Sequence, residues 1–516
     1  MNILKSKITK VLFLLSLLAG NAFAYDYFKE SIFFNADRTL FFYEKFNECS
    51  SPSVIYDAYS KYPELIELGI TSGKIDVNKV YSKDGTLLMY LAERGNENDI
   101  KFMKFLIKNG ADVNLGIKGP FGSDTKNFYY ETPLYEAIDF CRTEAAICLL
   151  EAGASADFVN HYYNTSLMHA LYRNQKEVAY EIIKNNSISI KALNYWSEYG
   201  NETALMMAIY MKMYDFAEEL VKYGADVNIE TKTRSALKLA CQNKNEKLIK
   251  ILLDKGANPN SKNPNITPLL EVIEDIDLVK LLVENGANVN GKEAPLVYAA
   301  ENKDTAVLEY LISKGAKIES KDPYGNTALL KAIGYWNIDA ILLLEKHNAN
   351  WKAVNKNGEN AFYALSYGDF LDDVKVDDNG KLVDVFTELK GKNIMEYLIS
   401  KGVDINKKDK EDGYTPLMNF IASTSNKSSK EKYVVENFLK YGAAPNIKDN
   451  YGYTALFDSV DRSEIVKILL KYGANPKAKV DGETPLEYAK SMLKRYPSKS
   501  AELNKTIEIL SELENE

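Results

Sequence analysis

The sequence predicts an all-α fold, a solenoid of about eleven stacked helix–turn–helix units with short β-hairpin-like fingers and a cap at each end. Three observations carry the prediction. First, a Gly-Ala pair follows an apolar run at Gly110, Gly153, Gly224, Gly256, Gly286, Gly315, Gly442 and Gly473, as in "ILLDKGANPN" (251–260). Gly402 keeps only the glycine, and Asn186 and Asn348 replace it in weaker copies. Second, a Thr-Pro-Leu triplet or a relative of it precedes each stop, as "ETPL" (131–134), "ITPL" (266–269) and "YTPL" (414–417), or as "TAL" from 203, 327 and 454. Third, the spacing repeats. Thr132 to Gly153 is 21 residues, and so are Thr165 to Asn186, Thr203 to Gly224, Ser235 to Gly256, Ala294 to Gly315 and Thr327 to Asn348. Two units, starting at Thr267 and Thr454, are shorter by two residues, and those starting at Thr86, Asn360 and Thr415 are longer.

Each part of a unit has a local cause. Thr accepts a hydrogen bond from an orphan N–H at a helix start, and Pro suits the first helical position, which needs no N–H. The first helix then places Leu and Ala on one face, as in "TALLKAI" (327–333). A polar break such as "NKNEK" (243–247) ends it. The second helix carries apolar pairs, among them Leu149–Leu150, Leu252–Leu253, Leu281–Leu282 and Leu469–Leu470. Gly stops it because Gly alone enters the left-handed region without penalty, and Asn is the next best residue there.

With these motifs in place, the chain resembles the ankyrin-repeat family. "KDPYGNTALL" (321–330) and "KDNYGYTAL" (448–456) carry the first half of the family pattern, and "FLIKNGADVN" (105–114) and "ELVKYGADVN" (219–228) the second. The resemblance covers roughly residues 70–490. It departs from the family in lacking the histidine that often follows Thr-Pro-Leu.

The organisation follows. Residues 1–24 form a secretory signal peptide: Lys5, Lys7 and Lys10, then an apolar "VLFLLSLLA" (11–19), then "AFA" before a cleavage site between Ala24 and Tyr25. Residues 25–69 form an N-terminal helical cap, with "KIDVNKV" (74–80) as the tail of a degenerate repeat. The array spans 70–480 and is interrupted by a Gly-rich loop (116–128), an insertion (366–392) and a polar turn (423–432). Within the second insertion "VKVDDNGKLVDV" reads as a hairpin about Asn-Gly. Residues 481–516 form a partial repeat and a capping helix.

Chemistry is sparse. The three histidines, His161, His169 and His347, fall in different stretches, with no HExxH, GxSxG or phosphate-binding loop. An EF-hand register with Gly380 sixth would put Lys375 and Phe386 where oxygen ligands are needed. There is no CxxC, and Cys49, Cys141, Cys148 and Cys241 read as buried thiols. No catalytic residue, cofactor or metal is expected. The formal charge of −8 argues against nucleic acid as a partner. The expected protein is a monomer in the periplasm or outside the cell, with no membrane-inserted segment after signal cleavage. It is a non-catalytic scaffold for a partner protein. A self-associating envelope spacer is the alternative, and an enzyme with a site in the N-terminal region or the 366–392 insertion is a third reading.

In ankyrin-like proteins, partners touch the fingers before the Thr and the exposed end of the first helix, along a concave face. By that resemblance the contact residues here are Tyr129, Tyr130, Tyr162, Tyr163, Tyr324 and Tyr451 before the Thr, Tyr414 and Tyr453 next to it, and Phe140, Tyr172, Tyr210 and Tyr335 after it. Tyrosine suits the role: large area, few rotamers and a polar handle.

Overall fold

The computed structural model describes residues 48–514, except 50, 62, 82–83, 122–123, 197–201, 264, 367–374, 377–381, 384–392 and 425–429. The signal peptide, its cleavage site and the cap up to residue 47 therefore lie outside the described residues, as does most of the 366–392 insertion.

Among the described residues, eleven helix pairs run from Leu87–Arg94 with Glu97–Lys108 to the 3-10 turn Phe457–Ser459 with Ser463–Lys471. They fall into two compact bodies, Met1–Asn258 and Pro259–Glu516. The expected helix starts hold. The side-chain oxygens of Thr86, Thr132, Thr165, Thr203, Ser235, Thr327 and Thr415 each accept from the backbone N–H three residues on. The stops hold as well: Gly110, Gly256 and Gly286 have φ of 90°, 84° and 93°, and Asn186 and Asn348 take the same left-handed region at 50° and 61°.

The two short units are short for one reason. Their first helices are truncated, to Pro268–Glu271 and to the 3-10 turn Phe457–Ser459, and Thr267 makes no side-chain cap. Ala294, which has no hydroxyl, starts its helix from a left-handed φ of 51° instead. The apolar pairs of the second helices are not equivalent. Leu252 and Leu282 are fully buried, while Leu281 is only partly so, because neighbouring helical residues point about 100° apart.

Two features were not anticipated. The first helices also end in a left-handed residue, nine positions after the Thr-like start, and there the residue is seldom Gly: Cys141, Asn174, Lys212, Lys244 and Trp336 all have φ between 50° and 58°. The second is a ladder of asparagines. The last Asn of each "GADVN"-like segment bridges to the next repeat. Asn228 Nδ2 donates to Gly256 O at 2.9 Å, and its Oδ1 accepts from Asn258 N at 2.8 Å. Asn78, Asn260, Asn290, Asn406 and Asn446 repeat both bonds with their own neighbours. Each Asn thus satisfies the turn carbonyl and N–H that the helix stop leaves without a helical partner.

Three expectations change. The range read as a Gly-rich loop is an antiparallel hairpin, Ile117–Phe121 paired with Asp124–Glu131, and so an elongated finger. Pairing gives its backbone groups partners that an open loop would leave to water. Helix Pro63–Thr71 crosses the 69/70 boundary and is followed by Gly73 at φ 69° and by Asn78 of the ladder, so this end of the cap has the form of a repeat. Cys148 and Cys241 are buried as expected, but Cys49 is only partly buried and Cys141 is exposed. In the 366–392 insertion, Lys375–Val376 and Leu382–Val383 pair antiparallel, and the Asn-Gly turn between them lies outside the described residues. At the far end, helix Ser500–Glu514 buries Leu503 and Leu510. Its Glu502 accepts from both the N–H and the hydroxyl of Ser463, at 3.1 and 2.7 Å. The Lys505 ammonium, which donates to it at 2.8 Å, and then the Ser463 bonds hold the Glu502 carboxyl down at about 2.

Candidate functional site

The fingers are built by Asx turns. Asn160 Oδ1 accepts from the N–H groups of Tyr162 and Asn164, Asp322 from Tyr324 and Asn326, and Asp449 from Tyr451 and Tyr453, all at 2.8–3.0 Å. Successive fingers are joined by backbone bonds, Lys356 N to Tyr324 O at 3.0 Å and Lys410 N to Asn357 O at 2.8 Å. A short acidic or amide side chain therefore sets the direction of each finger, and with it the tyrosine the finger carries.

The expected contact residues divide into two groups. Phe140, Tyr162, Tyr172, Tyr210, Tyr324, Tyr335 and Tyr451 are exposed, Tyr172 and Tyr324 by more than 70%. Tyr129, Tyr130, Tyr163, Tyr414 and Tyr453 are half-buried. Packing accounts for most of the second group: Tyr130 lies 5.3 Å from the Phe158 ring, and Tyr453 stands edge-on to Phe457 at 5.6 Å. Tyr129 stands edge-on to His161 at 5.8 Å. Tyr163 holds a left-handed φ of 61° within its finger.

In the N-terminal body the exposed rings join an acidic cluster. Tyr162 lies 3.9 Å from the His161 ring, and Tyr135 contacts both His161 and His169. His161 Nδ1 pairs with Glu131 at 2.7 Å and His169 Nε2 with Asp139 at 3.0 Å. Burial outweighs the Asp139 carboxylate and lowers the His169 pKa. His169 lies in the first helix Ser166–Tyr172 and is 2% exposed, the place of a structural histidine. Beside it a pocket of about 380 Å³ is lined by Asp84, Tyr90, Glu93, Glu131 and Glu136. Burial, with Glu131, Glu93 and Asp139 nearby, pushes the Glu136 carboxyl up to about 8.

In the C-terminal body a groove of about 810 Å³ runs between the fingers and the ends of the first helices. Tyr324 and Tyr335 stand beside it, Leu330, Gly334 and Ala364 line it, and so do Asn326, Lys331, Asn355, Lys356, Asn357, Glu359 and Glu411. The two tyrosines were expected from sequence. The groove was not, because it needs the fingers and helix ends of three repeats at once. Among the described residues no group of three or more His, Cys, Asp or Glu could hold a metal ion, and no helix is long and apolar enough to cross a membrane.

The family described as ankyrin repeats (3 copies) matches in overlapping segments from residues 88–194 to 427–496, together most of the chain. The chain belongs to the ankyrin-repeat family. Among curated ankyrin-repeat relatives, human neurogenic locus notch homolog protein 1 is 30% identical over 134 residues, 26% of this chain and 5% of that protein. Mouse rabankyrin-5 is 25% identical over 253 residues, 47% and 19% respectively. The phosphocholine transferase AnkX of Legionella pneumophila is 26% identical over 263 residues, 47% of this chain and 25% of that protein. The chain thus spans a quarter or less of the length of each.

Proposed function

We propose that this ankyrin-repeat chain is an exported, non-catalytic scaffold that binds a partner protein along the fingers and first-helix ends. Export is read from the positive and apolar N-terminal pattern ending at "AFA" (22–24). The observation that carries the binding role is a set of exposed tyrosines on first-helix ends and fingers, Tyr172 and Tyr210 at helix ends in one body, Tyr335 at a helix end and Tyr324 on a finger in the other. Rings held by stable helices and Asx turns lose little entropy on contact, so they make good anchors. Tyr210 has further support from below: the Arg234 guanidinium lies 5.1 Å from its ring and pairs with Glu202 at 2.6 Å.

The test is to change Tyr172, Tyr210, Tyr324 and Tyr335 together to Ala in the exported chain. Recovery of the cross-linked partner should fall by about tenfold or more, the scale of losing one strong anchor, with the melting temperature nearly unchanged. Undiminished recovery would remove the tyrosines from the account. N-terminal sequencing of the mature chain should begin at Tyr25; an intact Met1 in the cell fraction would remove export.

A further inference from the structure

We infer that the groove beside Tyr324 and Tyr335 is an anchor pocket. The space above Gly334 takes one bulky apolar or aromatic side chain from an extended segment of a partner protein. The inference rests on the binding role proposed above and assigns the place where specificity is set.

Glycine inside a helix needs a reason, because alanine is the better helix former. Gly334 is the last residue of helix Ala328–Gly334. A left-handed backbone is not the reason: the turn that follows is made by Trp336, at φ 55°, and Gly334 is not among the residues of positive φ. Close approach is not the reason either. A Cβ on Gly334 would meet only Ala364 Cβ and the Ala364 carbonyl oxygen, each at 3.7 Å, an ordinary contact. The fold would accept alanine here.

What the missing side chain provides is open space at the floor of the groove. Seven residues after the Thr-like start, two other repeats place Tyr172 and Tyr210, both exposed. Here that position is Gly334, and the ring moves one residue on to Tyr335, at the edge of the groove. The facing residue, Ala364, is also small, and Leu330 completes an apolar floor. The volume of about 810 Å³ falls in the range of roughly 300–1,000 Å³ seen for pockets that enclose a ligand.

The lining also describes the occupant. Two lysines, Lys331 and Lys356, balance two glutamates, Glu359 and Glu411, so no net charge calls for a charged ligand. Both lysines are engaged: Lys331 with Glu301 at 2.8 Å, and Lys356 Nζ with Pro323 O at 2.6 Å. Asn355 is fully used by Asn326, Glu359 and the N–H groups of its own finger, but Asn326 and Asn357 each donate one bond, to Asp322 and Glu359, and keep amide capacity suited to the N–H and C=O groups of a peptide. A neutral side chain on an extended backbone meets all three conditions.

The experiment pans the full chain against a random linear-peptide display library and measures the selected peptides on Gly334→Leu and Gly334→Ala chains. The peptides should share one bulky apolar or aromatic residue. Their affinity should drop at least about tenfold on Gly334→Leu, as for loss of one anchor, and less on Gly334→Ala. The alanine chain should melt above the parent, so weaker binding there cannot be read as misfolding. If the leucine chain melts early, the alanine chain alone decides. Peptides with no shared bulky residue, equal binding to both variants, failure to select any peptide, or Gly334-dependent binding of neutral oligosaccharides instead would each overturn the inference. If Gly334 is indifferent while the four-tyrosine variant still loses the peptides, the pocket fails and the binding surface stands. If neither matters, both fail.

Discussion

Replacing Arg462 with alanine is expected to destabilise the C-terminal body by about 3–5 kcal/mol, the scale for leaving a buried charge without its partner. Arg462 is 8% exposed and Glu431 6%. The guanidinium bridges three elements. It pairs with Glu431, donates to Ile421 O at 2.8 Å and donates to Asp458 O at 2.7 Å. Glu431 also accepts from Thr424 Oγ1 at 2.8 Å. The cluster sits where the first helix of its repeat has shrunk to Phe457–Ser459, so the arginine satisfies the Asp458 carbonyl that a longer helix would have used and ties the turn to Ile421 of the preceding repeat's first helix, Pro416–Ser423. Urea unfolding with hydrogen exchange on residues 420–470 measures the loss. The double change Arg462→Met with Glu431→Leu should cost much less, since an apolar pair carries no desolvation penalty. Equal losses in the single and double variants would contradict this reading.

Stability of the same region should fall as pH rises from about 4 to about 7, by up to about 4 kcal/mol. Burial, with Asp449 nearby, pushes the Asp458 carboxyl from 3.8 up to about 7, against the pull of Arg462. A carboxyl raised in the folded state holds its proton where the unfolded chain has lost it. Its stabilising contribution is therefore complete below the unfolded value and disappears through the folded one. Asp458→Asn should flatten the profile in that window. Glu136 gives the N-terminal body the same sign, up to about pH 8. His169, lowered by burial, acts in the opposite sense, losing stability as pH falls. Exchange rates that separate the two bodies distinguish these effects, and a flat profile for the parent chain in both would contradict the assignment.

The repeat was legible in sequence because its punctuation is local. Thr, Pro and Gly act on their own backbone or on residues three positions away, so spacing alone reveals them. The asparagine ladder was present in the letters "GADVN" but its partners lie in the next repeat, 28 to 30 residues on for Asn228. The left-handed stops at Cys141, Lys212, Lys244 and Trp336 left no signal, because no residue type marks them. The hairpin Ile117–Phe121 with Asp124–Glu131 was hidden by Gly119 and Pro120, which read as loop formers. At the candidate site, sequence placed tyrosines on fingers and helix ends. It did not distinguish Tyr324, which stands clear, from Tyr130, which packs on Phe158. Gly334 read as one glycine in "KAIGYW"; only the neighbouring finger and Ala364 make it the floor of a groove.

The central claim is that partners dock on the fingers and first-helix ends and not on the second helices. Site-specific photo-cross-linking in the native cell tests it most directly, with the reactive amino acid placed in turn at Tyr210, Tyr324 and Tyr335 and, as a control, at Tyr180. Tyr180 is also exposed but lies on the second helix Lys176–Lys184. The account predicts the same discrete cross-linked species from the first three positions and none from Tyr180. Cross-links from Tyr180 alone, or from all four positions alike, would contradict it.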